Sequence, residues 1–204
     1  MTTHALTCPH PATEAPPLLG EPLALEFVNT HYAVRGSLRD GLGRPDYLAW
    51  WLSMCRDRFS TELTDAALAA VDEADVVHFR ELRDASRRLI DVRVEGGEPD
   101  SRDVAQVNRA GGLGRSWPIL LWNPQQPPTV ARLGAQGPLL EAQAELAHAV
   151  VTLLTAPQAD VAACPGPGCV LFFERNPPRR AWCSPGCGNR ARAARHYHRH
   201  RPAD

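Results

Sequence analysis

Apolar positions along this chain recur mostly every three or four residues, the period of helices with one buried face. From Asp75 to Val94 the stripe is Phe79, Leu82, Leu89 and Val92, with Arg83 and Arg87 expected mostly outside it, and Gly96 and Gly97 end the helix. From Pro138 to Thr155 it is Leu139, Leu146, Val150 and Leu153, with Glu141, Glu145 and His148 opposite. In PDYLAWWLSMC, Pro45 suits a first helical turn, and Leu48, Trp51 and Leu52 share a face. Thr64 can cap a helix in LTDAALAAVDEA. Leu23 to Val34 is expected as a short buried helical segment, Gly36 to Pro45 as a loop, and residues 101–111 as a short helix. The pattern changes at WPILLW, Trp117 to Trp122, which predicts a strand. Asn123 to Pro128 is then a turn and TVARL the returning strand.

Residues 1–20 carry four prolines and no period, which predicts a disordered lead with Cys8 and His10 incidental. The expected architecture is therefore mainly α with a small β-hairpin. A helical domain spans residues 21–156, and a small C-terminal module spans 160–204.

Composition narrows the class. At 204 residues and 44% hydrophobic, the chain can bury a core without staples. It has no apolar run of about 18 residues, so no membrane span is expected. The N-terminus lacks a basic start and an apolar stretch, so it does not read as a signal peptide, and a cytoplasmic location follows. Thiols stay reduced there, and clustered cysteines point to metal rather than disulfides. The net charge of −1 conceals an asymmetry. Residues 164–204 carry eight Arg against two acids, net +6, and residues 1–163 are net −7. Such a split points to an anionic partner for the basic end, or to attraction between the two ends.

The candidate chemistry lies in CPGPGCVLFFERNPPRRAWCSPGCGNRARAARHYHRHR. Cys164 and Cys169 form a Cys-x4-Cys pair, and Cys183 and Cys187 a Cys-x3-Cys pair. Each pair spans a Pro- and Gly-rich turn, the loop that lets two thiolates reach one tetrahedral Zn2+. Disulfides conflict with the expected compartment, and four thiolates in a closed structural site favour zinc over iron. VLFF is expected to form a hairpin with RAWC across Asn176 and the two prolines. A basic helix should follow from about Asn189 to Arg199, studded by Arg190, Arg192, Arg195, Arg199 and Arg201. Arginine suits phosphate and guanine edges, so these five are the candidate nucleic-acid contacts. A basic helix packed on the acidic body is the alternative.

At CGNR, Cys187 to Arg190, the chain resembles the CGNR zinc-finger family. The Cys-x4-Cys pair, the aromatic strand with Phe172 and Phe173, and Arg180 to Ser184 agree with it. Where that family usually has Asp and Ser or Thr after the aromatic strand, this chain has Glu174 and Asn176. Upstream, LALEFVNT, PDYLAWWL and HFRELRDASRRLI resemble the helical ABATE domain often fused to this finger and labelled a stress-induced transcription regulator. The resemblance implies a zinc-containing DNA-binding regulator. Dimerisation would supply the readout that one zinc module lacks. The alternative is a small-molecule-binding protein or enzyme with its site in the helical domain at Glu26, Asn29 and Arg83, with His31 or His78 as further candidates. No nucleophile beside a base and no Gly-rich phosphate loop stands out.

Overall fold

Helix α4, Glu73–Glu95, is the spine of the protein. It starts where Asp72 and Asp75 each accept the other's backbone N–H, at 3.0 and 3.1 Å, and ends at Gly96 with φ 84°. The computed structural model describes residues 6–11, 14–114, 116–122, 127–134 and 137–200, with side chains for all of these except 116–119, 131–134 and 198–200. In chain order the elements are α1 (Leu23–Val28), β1 (His31–Val34), β2 (Ser37–Asp40), α2 (Pro45–Met54), α3 (Asp65–Ala69) and α4. They continue with α5 (Ser101–Leu113), β3 (Ser116–Leu121), β4 (Thr129–Gly134), α6 (Pro138–Thr155), β5 (Val161–Ala163), β6 (Phe172–Glu174) and α7 (Pro185–His200). The strands form three separate antiparallel pairs, β1–β2, β3–β4 and β5–β6. Among the described residues no helix is long and apolar enough to cross a membrane.

Helices α1, α4, α5 and α6 pack around one core, in which Leu25, Phe27, Trp51, Phe79, Leu82, Leu146 and Val150 are wholly or almost wholly buried. The expected stripes of α4 and α6 account for most of it. Glu145 on α6 is not simply solvated, because its carboxylate accepts the N–H groups of Ser60 and Thr61, both at 2.7 Å.

Three expectations need correction. Leu23 to Val34 is not one helical segment, and Gly36 to Pro45 is not all loop. Arg35 at φ 50° and Gly36 at φ 83° make a two-residue left-handed turn joining β1 to β2. Second, Arg83 is 1% exposed, because Asp40 at the end of β2 meets its guanidinium. Third, VLFF does not pair with RAWC. Cys169 N–H bonds Gly166 O at 2.9 Å and Cys164 N–H bonds Leu171 O at 2.8 Å. The tight turn between the first two cysteines thus zips its own flanks, and β5 pairs with β6. Pro177 and Pro178 have no N–H to give a ladder on the other side.

Strand β6 also ties the C-terminal module to the body. Its successive side chains point to opposite faces. Phe172 enters the main core, and Phe173 joins a second cluster with Tyr32, Cys164, Cys183 and Cys187. Asn29, fully buried after α1, donates from Nδ2 to Phe172 O at 2.8 Å and accepts Phe172 N–H on Oδ1 at 2.9 Å. Arg87 donates to Val28 O at 3.2 Å and to Val170 O, with its guanidinium 4.8 Å from the Phe172 ring centre. The lead, expected to be disordered, lies against the body over its described residues. His10 is 8% exposed and stacks 3.8 Å from the Tyr47 ring, and Tyr32 donates to Glu14 O.

Candidate metal centre

The sulfurs of Cys164, Cys169, Cys183 and Cys187 all lie within 4.8 Å of one another, the one such group of potential metal ligands among the described residues. Cys183 Sγ is 3.4 Å from Cys187 Sγ and 3.7 Å from Cys169 Sγ. A tetrahedron with Zn–S bonds of about 2.3 Å has edges of about 3.8 Å, so the sulfurs stand where zinc ligands would. Three of the four residues are buried and Cys169 is half-buried, as in a closed structural site. Left to themselves, four thiols so close must share protons. Hydrogen bonding from Cys169 and Cys183 pulls Cys164 down, while Cys164 and Cys169 push Cys183 up. A cation in place of those protons removes the conflict. Four soft thiolates and a complete shell fit zinc, which would do no chemistry on substrates here.

The local sequence explains how the two pairs meet. A Cβ on Gly166 would fall 2.9 Å from Cys187 Cβ and 3.2 Å from its sulfur, so only glycine lets the first turn press on the second. A Cβ on Gly188 would fall 3.2 Å from Trp182 Cε3, close enough that the indole would have to shift slightly. Ser184 caps α7, accepting the Cys187 N–H on Oγ at 3.3 Å. Cys187 therefore sits inside the first turn of a helix, where the N-terminal dipole favours a thiolate. Arg180 was not a sequence candidate, although it begins the R-x-W-C-S segment. It donates to Trp182 O at 3.2 Å, Glu174 O at 3.3 Å and Cys183 O at 2.6 Å, with its charge 5.1 Å from the Phe173 ring centre. It also approaches buried Glu21 Oε1 at 2.6 Å as an ion pair whose angles fall short of a hydrogen bond. Glu21 Oε2 accepts the Glu174 N–H at 3.0 Å.

The arginines expected to meet nucleic acid divide. Arg190 turns back and donates to Cys187 Sγ at 3.0 Å. Arg192 and Arg195 have exposed side chains along α7, and Arg192 also donates to Asn189. Arg199 lies in α7 with its side chain outside the described set, and Arg201 lies outside the described residues.

The candidate ligand residues do not form one open site. Asn29 is occupied by Phe172, and Arg83 by Asp40 and Asp84. Glu26 accepts the Leu19 and Glu21 N–H groups, both at 2.9 Å, while its Oε2 is buried with no hydrogen-bond partner among the described residues. His31 is half-buried, and burial pushes its imidazole down. His78 is exposed.

No curated protein matches the chain. Residues 161–200 match the CGNR zinc finger, and residues 21–157 match ABATE, described as "Putative stress-induced transcription regulator". The second match covers more than half of the sequence, and the chain belongs to the ABATE family, with a CGNR zinc finger following that domain.

Proposed function

We propose that this protein is a stress-responsive transcription regulator whose zinc site holds α7 for contact with DNA. The observation that carries this reading is the position of Cys187, a member of the four-cysteine cluster, inside the first turn of the Arg-rich helix. Metal and helix are thereby fixed to each other, and a fixed helix presents charge at lower entropic cost than a loose tail. Arg192 and Arg195 are exposed on it, and Arg199 continues their row. Arg190, by contrast, supports the metal-bound thiolate. One such helix reads few bases, so two copies acting together give the specificity that a regulator needs.

The test is the salt dependence of binding to duplex DNA by the zinc-loaded protein. Each phosphate contact releases counterions, so affinity should fall steeply with salt. Replacing Arg192, Arg195 and Arg199 together by Ala should flatten that slope and weaken binding to all duplexes. A triple variant that binds as the parent does, or a parent that ignores DNA at low salt, overturns the reading. The alternative, a ligand site at Glu26, Asn29 and Arg83, draws little support, because Phe172 occupies Asn29, Asp40 and Asp84 occupy Arg83, and Glu26 is 1% exposed.

A further inference from the structure

Helices α4, α5 and α6 pack against one another. Between them lies a groove of about 290 Å3, walled by Leu89, Val92, Val104, Val107, Val151 and Leu154. Leu89 and Val107 form its floor, 8% and 3% exposed, while Val104 and Val151 stand at its mouth, 38% and 41% exposed. Its one charged lining residue is Arg93, with Asn108 also at the rim.

The charges around this mouth are not equivalent. Arg88 grips Asp103 with two bonds of 2.8 and 2.7 Å, fastening α4 to α5. Arg102 takes Asp100 at 2.7 Å. Arg93 has no hydrogen bond or ion pair among the described residues, and neither does the Asn108 amide. An apolar trough thus ends at an exposed cation and an exposed amide that have no partner among the described residues, the usual composition of a pocket for a small amphiphile.

We propose that this groove binds a medium-chain carboxylate, with its tail among the valines and leucines and its anionic head on Arg93. Size points to that occupant. At the roughly 30 Å3 that a water-sized group takes in a liquid, the groove holds about ten heavy atoms. That is the size of octanoate. Charge gives the head group, since a carboxylate accepts two parallel bonds from a guanidinium. The site is independent of what α7 contacts.

The experiment titrates zinc-loaded full-length protein with octanoate and, separately, with octanol, by calorimetry and methyl NMR. Octanoate should bind once per chain, saturating below about 1 mM, and should shift the methyl signals of Val104, Val107 and Val151. Octanol should bind more weakly. Arg93→Gln should lower octanoate affinity about tenfold and remove the preference over octanol. Val151→Trp fills the mouth from an exposed position, and it should abolish binding of both while the melting temperature holds. Three results overturn the proposal: no saturable binding of either compound, an octanol affinity equal to that of octanoate in the parent, or octanoate binding that neither variant changes. Sedimentation as a dimer that Val151→Trp dissociates would assign the groove to a second copy and overturn it as well.

Discussion

Asn29 does the work of a neighbouring strand. Its amide pairs with both backbone groups of Phe172 as a peptide would, on the side of β6 that faces away from β5. Asn29→Ala leaves a buried N–H and a buried C=O unpaired, at a cost of about 3 kcal/mol. Urea denaturation of the zinc-loaded protein should show the midpoint fall accordingly, and an unchanged midpoint would remove Asn29 from this role. Two carboxylates, buried Glu26 and half-buried Asp40, act in opposite directions with pH. Burial pushes Glu26 above its ordinary 4.5, against the pull of the Glu21, Leu19 and Gly20 backbone and of Arg58. A raised folded value means that its contribution is full in acid and is lost as pH rises through that value. Burial also acts to raise Asp40, but the hydrogen bonds and charge of Arg83, with help from Leu42 N–H and Arg80, outweigh it and hold Asp40 low. Its contribution is present above the unfolded value and is lost as pH falls. Glu26→Gln should therefore flatten the decline in stability that sets in as pH rises above the ordinary 4.5 of a glutamate, and should leave the Asp40 contribution at the acid end unchanged. A parallel decline in parent and variant would contradict this assignment. Glu26 and Asn29 stood out in the sequence as polar residues in an apolar run, and they are indeed special. Their task was not legible, because the partner of Asn29 lies 143 positions away.

At the scale of elements, legibility followed the length of the periodic signal. Helix α6 runs over Pro138–Thr155 as its stripe predicts, and α4 differs only at its ends. The β1–β2 hairpin was missed because four-residue strands give too little alternation, and its turn depends on Arg35 adopting a positive φ. Arg83 was misjudged because a helix pattern treats charge as solvent-facing, whereas the neutralising Asp40 comes from another element. The gathering of the four cysteines into one cluster was legible, since the spacing of short chelate loops brings such side chains together. What the spacing did not reveal is the close approach of the two turns. Gly166→Ala puts a methyl 2.9 Å from Cys187 Cβ, so it should weaken zinc binding by about tenfold or more in competition with a colorimetric chelator. Ser184→Ala removes the cap of α7 and should cost about 1 kcal/mol, read as reduced helicity and faster amide exchange in its first turn. Retention of full zinc affinity by Gly166→Ala would mean that the turns can part without harm.

For the molecule as a whole, the boundary between the two matched regions is clear in sequence and is crossed in space. Phe172 fills the body's core, Glu21 bonds Glu174, and Arg87 reaches from α4 to the carbonyl of Val170. A fragment ending near residue 157 should therefore lack a cooperative melt, because it exposes the Phe172 site and orphans Asn29. Chelation of the intact protein should lower one shared transition rather than melt a C-terminal piece alone. Two well-separated transitions, or a fragment that melts like the parent, would mean that the body folds without the C-terminal module. The clasp of Arg87 and Asn29 on β6 also bears on how the protein is made. An emerging chain can assemble α1 to α6 early, but the contacts that close its core belong to residues synthesised after them. During that interval the Asn29 amide and the Phe172 site would stand open to water, so the nascent body should gain its final rigidity only when the cysteine turns have left the ribosome and docked.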